Sequence, residues 1–300
     1  MKIHILIPVH NNRDTTLKCL ELLSKQTFRD FTVTVTDDGS TDGTYGAICE
    51  QFPEVTVLRG DGKLWWTGAM NMALEHVLAL VDDDDCILTL NNDVTFAEDY
   101  LASLAKVASE RPMYLIGSAA FDMANPQKAI YTGDFFDWRT SRREVGRYIS
   151  GDHFNDNVNS LPGRGTLVPV KVFKKIGLFD AKRLPHYAAD IEFSIRAERG
   201  GFSLCVFYGA VLYADTSISG YRFSPFMRLT WKQVWQLLYD KKSTAQVRTQ
   251  YYFLLICSPR RYLFRYLLLL IRQIVLILTS VPPLWHIKML FRPVLEWFRV

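Results

Sequence analysis

The sequence predicts an α/β fold: a mainly parallel sheet with helices on both faces, followed by a helical tail. Three observations carry this. Strand and helix patterns alternate over the first ninety residues, the notable polar residues follow strand ends, and an apolar, basic stretch takes over after about Ser224. The chain has 300 residues, 49% hydrophobic and 22% charged, which excludes a disordered protein and allows a sizeable core.

Ile3 to Ile7 reads as a buried strand ended by Pro8. Arg13 to Gln26 reads as a helix, with Leu17, Leu20 and Leu23 on one face and Asp14 or Thr15 as its cap. Thr32 to Thr36 is β-branched throughout and predicts a second strand. The polar turn Asp37 to Gly43 opens another helix, and Val55 to Leu58 is a third strand. Gly68 to Val81 is helical, and Cys86 to Leu90 forms a fourth strand. This order implies parallel strands joined by helices, with ligands beyond the carboxyl ends of the strands. His10, Asn11, Asp37, Asp38 and Asn91 to Asp93 all fall there. From about Tyr114 to Gly220 the pattern is mixed, and its clearest element is a helix from Asp190 to Arg199, stopped by Gly200 and Gly201.

We expect two parts, residues 1–225 and a tail, residues 226–300. Leu263 to Val281 is an apolar run broken by Arg265, Arg272 and Gln273. Its length approaches a membrane span, but Arg261, Arg265 and Arg272 share one helical face. That favours a helix lying on an anionic membrane surface, with a span or a protein-packing surface as alternatives. Trp285, Trp297 and Phe298, interleaved with Lys288, Arg292 and Arg299, suit an interfacial position too. Five cysteines without a CxxC pair read as free thiols of a reducing compartment. The start carries no secretory pattern, so the expected location is the cytoplasmic face of the cell membrane. No nucleic-acid partner is expected.

Three acidic clusters carry the chemistry. Asp37-Asp38 can accept hydrogen bonds from a base or ribose, or be a solvated turn. Asp93, after Asn91 and Asn92, can hold Mg2+ or Mn2+ on a diphosphate, with Asn91 supplying an oxygen to the ion or the sugar. Asp190, followed by Glu192, is a helix cap or a general base. Asp82 to Asp85 lies at the other sheet edge and reads as a solvated loop. Trp65 and Trp66 either stack on a sugar or lipid or pack as aromatics, His186 either approaches the diphosphate or metal or is a structural histidine, and Arg164 can pair with phosphate.

In order, Pro8-Val9-His10-Asn11-Asn12, Thr36-Asp37-Asp38-Gly39-Ser40-Thr41-Asp42-Gly43-Thr44, Leu90-Asn91-Asn92-Asp93-Val94 and Asp190-Ile191-Glu192 with Arg196 resemble the family 2 inverting glycosyltransferases of the GT-A fold. The resemblance covers about residues 1 to 220. Gly163 to Pro169 and Gly177 to Asp180 resemble the family's acceptor-side segment. It implies a donor-binding set of Pro8, Asn11, Asp37, Asp38, Asn71, Asn91 and Asn92, with Asp93 as metal ligand and Asp190 as catalytic base. The implied donor is a UDP- or dTDP-linked sugar, and the implied acceptor a lipid-linked glycan or cell-surface polysaccharide precursor. The Asn-Asn-Asp motif with the tryptophans before Asn71 is most similar to transferases of cell-surface polysaccharides, rhamnosyltransferases included.

The chain departs from the pattern where Asn91 replaces an acid, where Ala189 precedes Asp190, and where no histidine lies near Tyr213 to Asp215; Asp215 is the available substitute. Two rivals are a nucleotidyltransferase, which would want a glycine- and basic-rich phosphate loop where His10-Asn11-Asn12 stands, and a catalytically silent membrane-bound module.

Overall fold

The computed structural model describes residues 1–151, 153–215, 223–224 and 227–286. The first half runs β1 (Ile3–Val9), α1 (Arg13–Ser24), β2 (Phe31–Asp37), α2 (Thr44–Gln51), β3 (Thr56–Arg59), α3 (Trp65–Leu78), β4 (Cys86–Thr89), β5 (Val94–Thr95) and α4 (Tyr100–Glu110). Next come β6 (Tyr114–Asp122), β7 (Ala129–Tyr131), β8 (Asp134–Asp137), β9 (Arg142–Val145), β10 (Phe154–Asn155), β11 (Thr166–Pro169) and α5 (Val170–Ile176). The chain continues through α6 (Ala189–Arg199), β12 (Ser203–Ala214), α7 (Trp231–Tyr239), α8 (Val247–Cys257) and α9 (Arg260–Leu278).

The main sheet is ordered β10-β12-β6-β11-β4-β1-β2-β3. The four strands read from sequence pair in parallel, as expected, and β6 and β12 run parallel to each other. The addition is β11, which enters antiparallel between β4 and β6. Its first residue, Thr166, therefore lies at the carboxyl end of β4, opposite Thr89. That reversal carries the preceding residues, Gly163 and Arg164, to the ligand-binding edge.

Strand β1 continues through Pro8 to Val9 rather than stopping at Ile7. Leu6 O accepts from Leu90 N on the β4 side, and Val9 O accepts from Asp38 N on the β2 side. Even-numbered residues thus face β4, whose ladder has ended at Leu6, so Pro8 needs no N–H there. Helix α1 is not capped by Asp14 or Thr15. Asn12 sits before it in the left-handed region (φ 63), and its carbonyl accepts from both Thr16 N and Thr16 Oγ1.

Period-two alternation sends Ile3, Ile5, Ile7 and Val9 to one face, against Leu20 and Leu23 of α1 and Leu101 and Leu104 of α4. Leu6 faces the other side with Met70 and Leu74 of α3 and Phe193 of α6. Each such side chain contributes about 1.5–3 kcal/mol on burial. The strands are therefore anchored in the core, and their carboxyl ends fix where the following loops begin.

After the sheet, α7 starts with a capping box between Thr230 and Gln233. Val234, Leu237 and Leu238 of α7 pack with Ile277 of α9 and Val281. Among the described residues no helix is long and apolar enough to cross a membrane. Helix α9 buries Tyr266, Leu270 and Ile277 while Phe264, Leu268, Leu269, Ile271, Val275 and Leu278 are exposed. At about 100° per residue, all of those exposed residues but Leu269 share a sector of roughly 80°, with Arg261, Arg272 and Arg265 in the sector beside it. Arg265 does not point only outward: it donates to Arg139 O and, at 3.0 Å, to Ser141 Oγ of the β8–β9 hairpin. Lys288, Arg292, Trp297, Phe298 and Arg299 lie outside the described residues.

Candidate active site

At the tips of β1 and β2 two loops lock together. Asn11 N donates to Ser40 Oγ (2.7 Å), and Asn11 Oδ1 accepts from Thr41 N (2.9 Å). Asp37 Oδ1 accepts from Ser40 N (2.9 Å), which sets the turn. The buried Asp38 carboxylate accepts from Gly62 N (2.8 Å) and Trp65 N (2.9 Å). Trp65 holds a left-handed conformation (φ 59), so this carboxylate fixes a strained loop entry to α3. A Cβ on Gly60 would lie 2.6 Å from Asp38 Oδ1, so the close approach requires glycine. Asp38 thus shapes the rim through its own chain, with one backbone N–H on each oxygen.

Beyond β4, the three polar residues diverge. Asn91 Oδ1 accepts from Trp66 Nε1 (3.1 Å). Asn92 turns the other way, donating to the buried Thr16 Oγ1 of α1 (2.8 Å). Asp93 leads into β5, whose Val94 pairs with Ala214 of β12, so Asp93 and Asp215 flank the same end of one ladder. Asp190, in the first turn of α6, accepts from Gly163 N (2.7 Å) on Oδ2 and from Ile191 N (2.9 Å) on Oδ1. Gly163 lies under the Trp66 ring, where a Cβ would come within 2.3 Å of it. The Trp66 ring therefore ties the β4 loop to the Asp190 loop.

Asn91, Asp93, Asp190 and Asp215 line one cavity of about 470 Å³, together with Trp66, Arg164, His186 and the β8 residue Asp134. Five buried side-chain polar atoms have no partner among the described residues. Four of them, Asp93 Oδ1, Asp134 Oδ1, Arg164 Nε and His186 Nδ1, belong to residues of this cavity. A buried unpaired polar group costs about 1–3 kcal/mol, so the cavity is built for a polar ligand. Burial pushes the Asp190 carboxyl above its ordinary range, opposed by the Gly163 and Ile191 N–H groups and by Arg164. Burial, aided by Lys242, lowers the His186 imidazole to about 4, so it is neutral at pH 7.

Among the described residues no group of three His, Cys, Asp or Glu side chains forms a metal cage. The orphaned Asp93 oxygen beside Asp215 instead fits a cation shared with a substrate phosphate, which needs only one or two protein carboxylates.

Of the residues expected from sequence, the cavity gathers Asn91, Asp93 and Asp190. Pro8, Asn11, Asp37 and Asp38 form a separate rim at the tips of β1 and β2. Asn71 is elsewhere: its amide donates to Phe179 O (2.8 Å) and accepts from Phe179 N (3.1 Å), clamping α3 to the segment before α6. Glu192 is buried and paired with Arg196, whose guanidinium also holds Leu178 O, so both are structural. Asp82 to Asp85 lies at the opposite edge, as expected, with Asp85 bonded to Lys2 N and His4. The cysteines are free, and only Cys49 is exposed. Sequence reasoning missed Asp134 and Arg143, which no motif marks.

A sequence profile described as Glycosyl transferase family 2 matches residues 4–177. The chain is 24% identical over 253 residues to Glycosyltransferase GlyG of Streptococcus pneumoniae, covering 80% of this chain and 79% of that protein. It is 25% identical over 209 residues to the N-acetylglucosaminyl-diphospho-decaprenol L-rhamnosyltransferase of Mycobacterium tuberculosis, 61% of this chain and 66% of that one. It is similar in structure to GalNAc-T7 with UDP, GalNAc and Mn2+ (TM-score 0.59, 14% identity, 95% of this chain and 58% of that one). It is also similar to the mannosyltransferase PcManGT from Pyrobaculum calidifontis in complex with GDP-Man and Mn2+ (TM-score 0.53, 14% identity, 93% and 73%). Likeness at such identity is one of fold.

Proposed function

The chain belongs to glycosyl transferase family 2, and from that premise we propose that it moves a sugar, with inversion, from a UDP- or dTDP-linked donor to a hydroxyl of a lipid-linked glycan. One observation carries the reading: Asp190, with its carboxyl pushed up by burial, shares a cavity with the orphaned oxygen of Asp93. The donor nucleoside lies along the rim formed by Pro8, Asn11, Asp37 and the loop that Asp38 holds. Its diphosphate and sugar then extend toward Asn91 and Asp93.

Asp190 takes the proton of the acceptor hydroxyl as its oxygen bonds to the anomeric carbon. The bond from that carbon to the phosphate oxygen breaks, and the electron pair leaves with the nucleoside diphosphate. The Gly163 and Ile191 N–H groups hold the carboxylate in place, and the raised pKa makes it a stronger base than an ordinary aspartate. Asp93, with Asp215, would hold a Mg2+ or Mn2+ ion, which supplies charge neutralisation on the departing diphosphate. The metal-bound neighbours support that use of the site.

The acceptor class is supported by the rhamnosyltransferase relative, whose name gives a diphospho-lipid acceptor. The exposed apolar sector of α9, flanked by arginines, supports residence on an anionic membrane surface, which the proposal puts at the cytoplasmic face. Trp231, Trp235 and Tyr239, exposed at four-residue spacing on α7, add interfacial anchors. The chain then divides into a transferase domain, residues 1–225, and this membrane-facing tail, residues 226–300. The test is a thermal-shift screen of nucleoside diphosphates and their sugars, with and without Mn2+. A UDP- or dTDP-linked sugar should raise the melting temperature most. No shift with any nucleotide would refute the reading.

A further inference from the structure

The mechanism leaves one wall of the cavity unused. That wall is the β8–β9 hairpin, and Arg164 lines the same cavity. Asp134 begins β8 and is largely buried, its side chain 12% exposed. Its Oδ2 is paired with Arg143 of β9, while its Oδ1 is buried with no partner. Arg164 Nε is buried and unpartnered in the same cavity. Tyr131 cannot serve Asp134 as a donor, because its hydroxyl donates to Ser160 O (2.7 Å). The hairpin and Arg164 thus offer one unpaired charged acceptor atom and one unpaired charged donor atom.

That combination selects a ligand class. A fully ionised diphosphate accepts hydrogen bonds but gives none, so it would use Arg164 while Asp134 Oδ1 repelled it and stayed unpaired. A cation would meet Arg143 and Arg164. A neutral sugar hydroxyl both donates and accepts, so a polyhydroxylated ring satisfies both groups at once. On the transferase reading, we propose that this wall is the acceptor subsite: a ring hydroxyl of the acceptor sugar donates to Asp134 Oδ1, while Arg164 Nε donates to a neighbouring ring oxygen atom or hydroxyl. Another hydroxyl of the same ring is thereby turned toward Asp190, which lines the same cavity.

The hairpin is braced from behind by the tail. Tyr266 O–H donates to Trp138 O (2.8 Å), and the Phe136 and Trp138 rings meet at 4.9 Å beside Tyr266. Arg265 holds Arg139 O and Ser141 Oγ. The helix assigned to the bilayer therefore positions the acceptor wall, which suits an acceptor carried on a lipid.

The test uses the full chain with Mn2+ and the nucleoside diphosphate of UDP, dTDP and GDP that stabilises it most. Octyl glycosides of glucose, galactose, N-acetylglucosamine and rhamnose are the acceptor probes, followed by ligand-observed NMR and by transfer kinetics. At least one glycoside should bind. Asp134→Asn should raise its Kd and acceptor KM roughly tenfold or more, with nucleoside diphosphate affinity within about twofold of the parent. If Asp134→Asn does not fold, Asp134→Glu replaces it, since its longer arm keeps the charge but displaces the oxygen, and the same rise is expected. Unchanged glycoside binding in the variant, or binding by none of the four, would overturn the subsite. A chain that binds no nucleoside diphosphate would sink the transferase reading instead, before any glycoside is added.

Discussion

Replacing Asp38 by Asn tests how the rim is held. The carboxylate satisfies two backbone N–H groups, Gly62 at 2.8 Å and Trp65 at 2.9 Å. Asparagine offers one carbonyl oxygen, so one N–H is retained and the other faces an amide NH2. Losing one charge-assisted bond costs about 1.5–3 kcal/mol. Trp65 meanwhile keeps a left-handed backbone (φ 59), a conformation that costs a non-glycine residue about 1–2 kcal/mol. Nothing offsets the loss, so the opened loop should gain population roughly ten- to hundredfold. Hydrogen exchange read by mass spectrometry should show this as faster exchange across residues 60–66, with the sheet core unchanged. Nucleoside diphosphate affinity, measured by calorimetry, should fall by roughly tenfold or more, because the loop completes the rim. Parental exchange and affinity in Asp38→Asn would refute the argument that this carboxylate works through the loop.

Three further outcomes follow from the same geometry. Asp93→Ala should erase the Mn2+-dependent part of nucleoside diphosphate affinity, roughly tenfold or more, in calorimetry with and without the ion; an equal Mn2+ effect in both proteins would contradict the metal assignment. Because burial raises the Asp190 carboxyl and the base must be deprotonated, transfer should fall as pH drops through that raised value. The acid limb of kcat/KM should therefore lie above the ordinary aspartate value of about 3.9, and a limb at or below it would count against Asp190 as the base. Phe264→Glu with Ile271→Glu, both exposed on α9, should weaken co-sedimentation with phosphatidylglycerol vesicles by roughly tenfold or more; equal binding would remove the membrane role.

The strand tips were legible in the sequence because β-branched and apolar runs alternate with helical spacing. Asp37, Asp38 and Asp93 lie directly after such runs. What each side chain does there was less legible. Asn91 and Asn92 are neighbours in the chain, yet one meets Trp66 and the other Thr16, because successive residues leaving a strand point to opposite sides. Asn71 carried a polar position expected near the donor, but its amide closes on Phe179, a contact spanning 108 residues. The antiparallel entry of β11 was likewise unreadable from local pattern, and it alone explains why Gly163 and Arg164 arrive at the cavity. Asp134 and Arg143 sit on a short hairpin without a motif, so only the unpaired oxygen in the folded cavity marks them.

The exchange Asp190→Asn, assayed for sugar transfer and nucleoside diphosphate binding side by side, tests the role of this carboxylate most directly. Loss of a positioned base predicts a fall in kcat of roughly a hundred- to ten-thousandfold, with binding held within about twofold. Transfer within about tenfold of the parent, in a protein that still binds nucleotide, would show that the proton goes elsewhere.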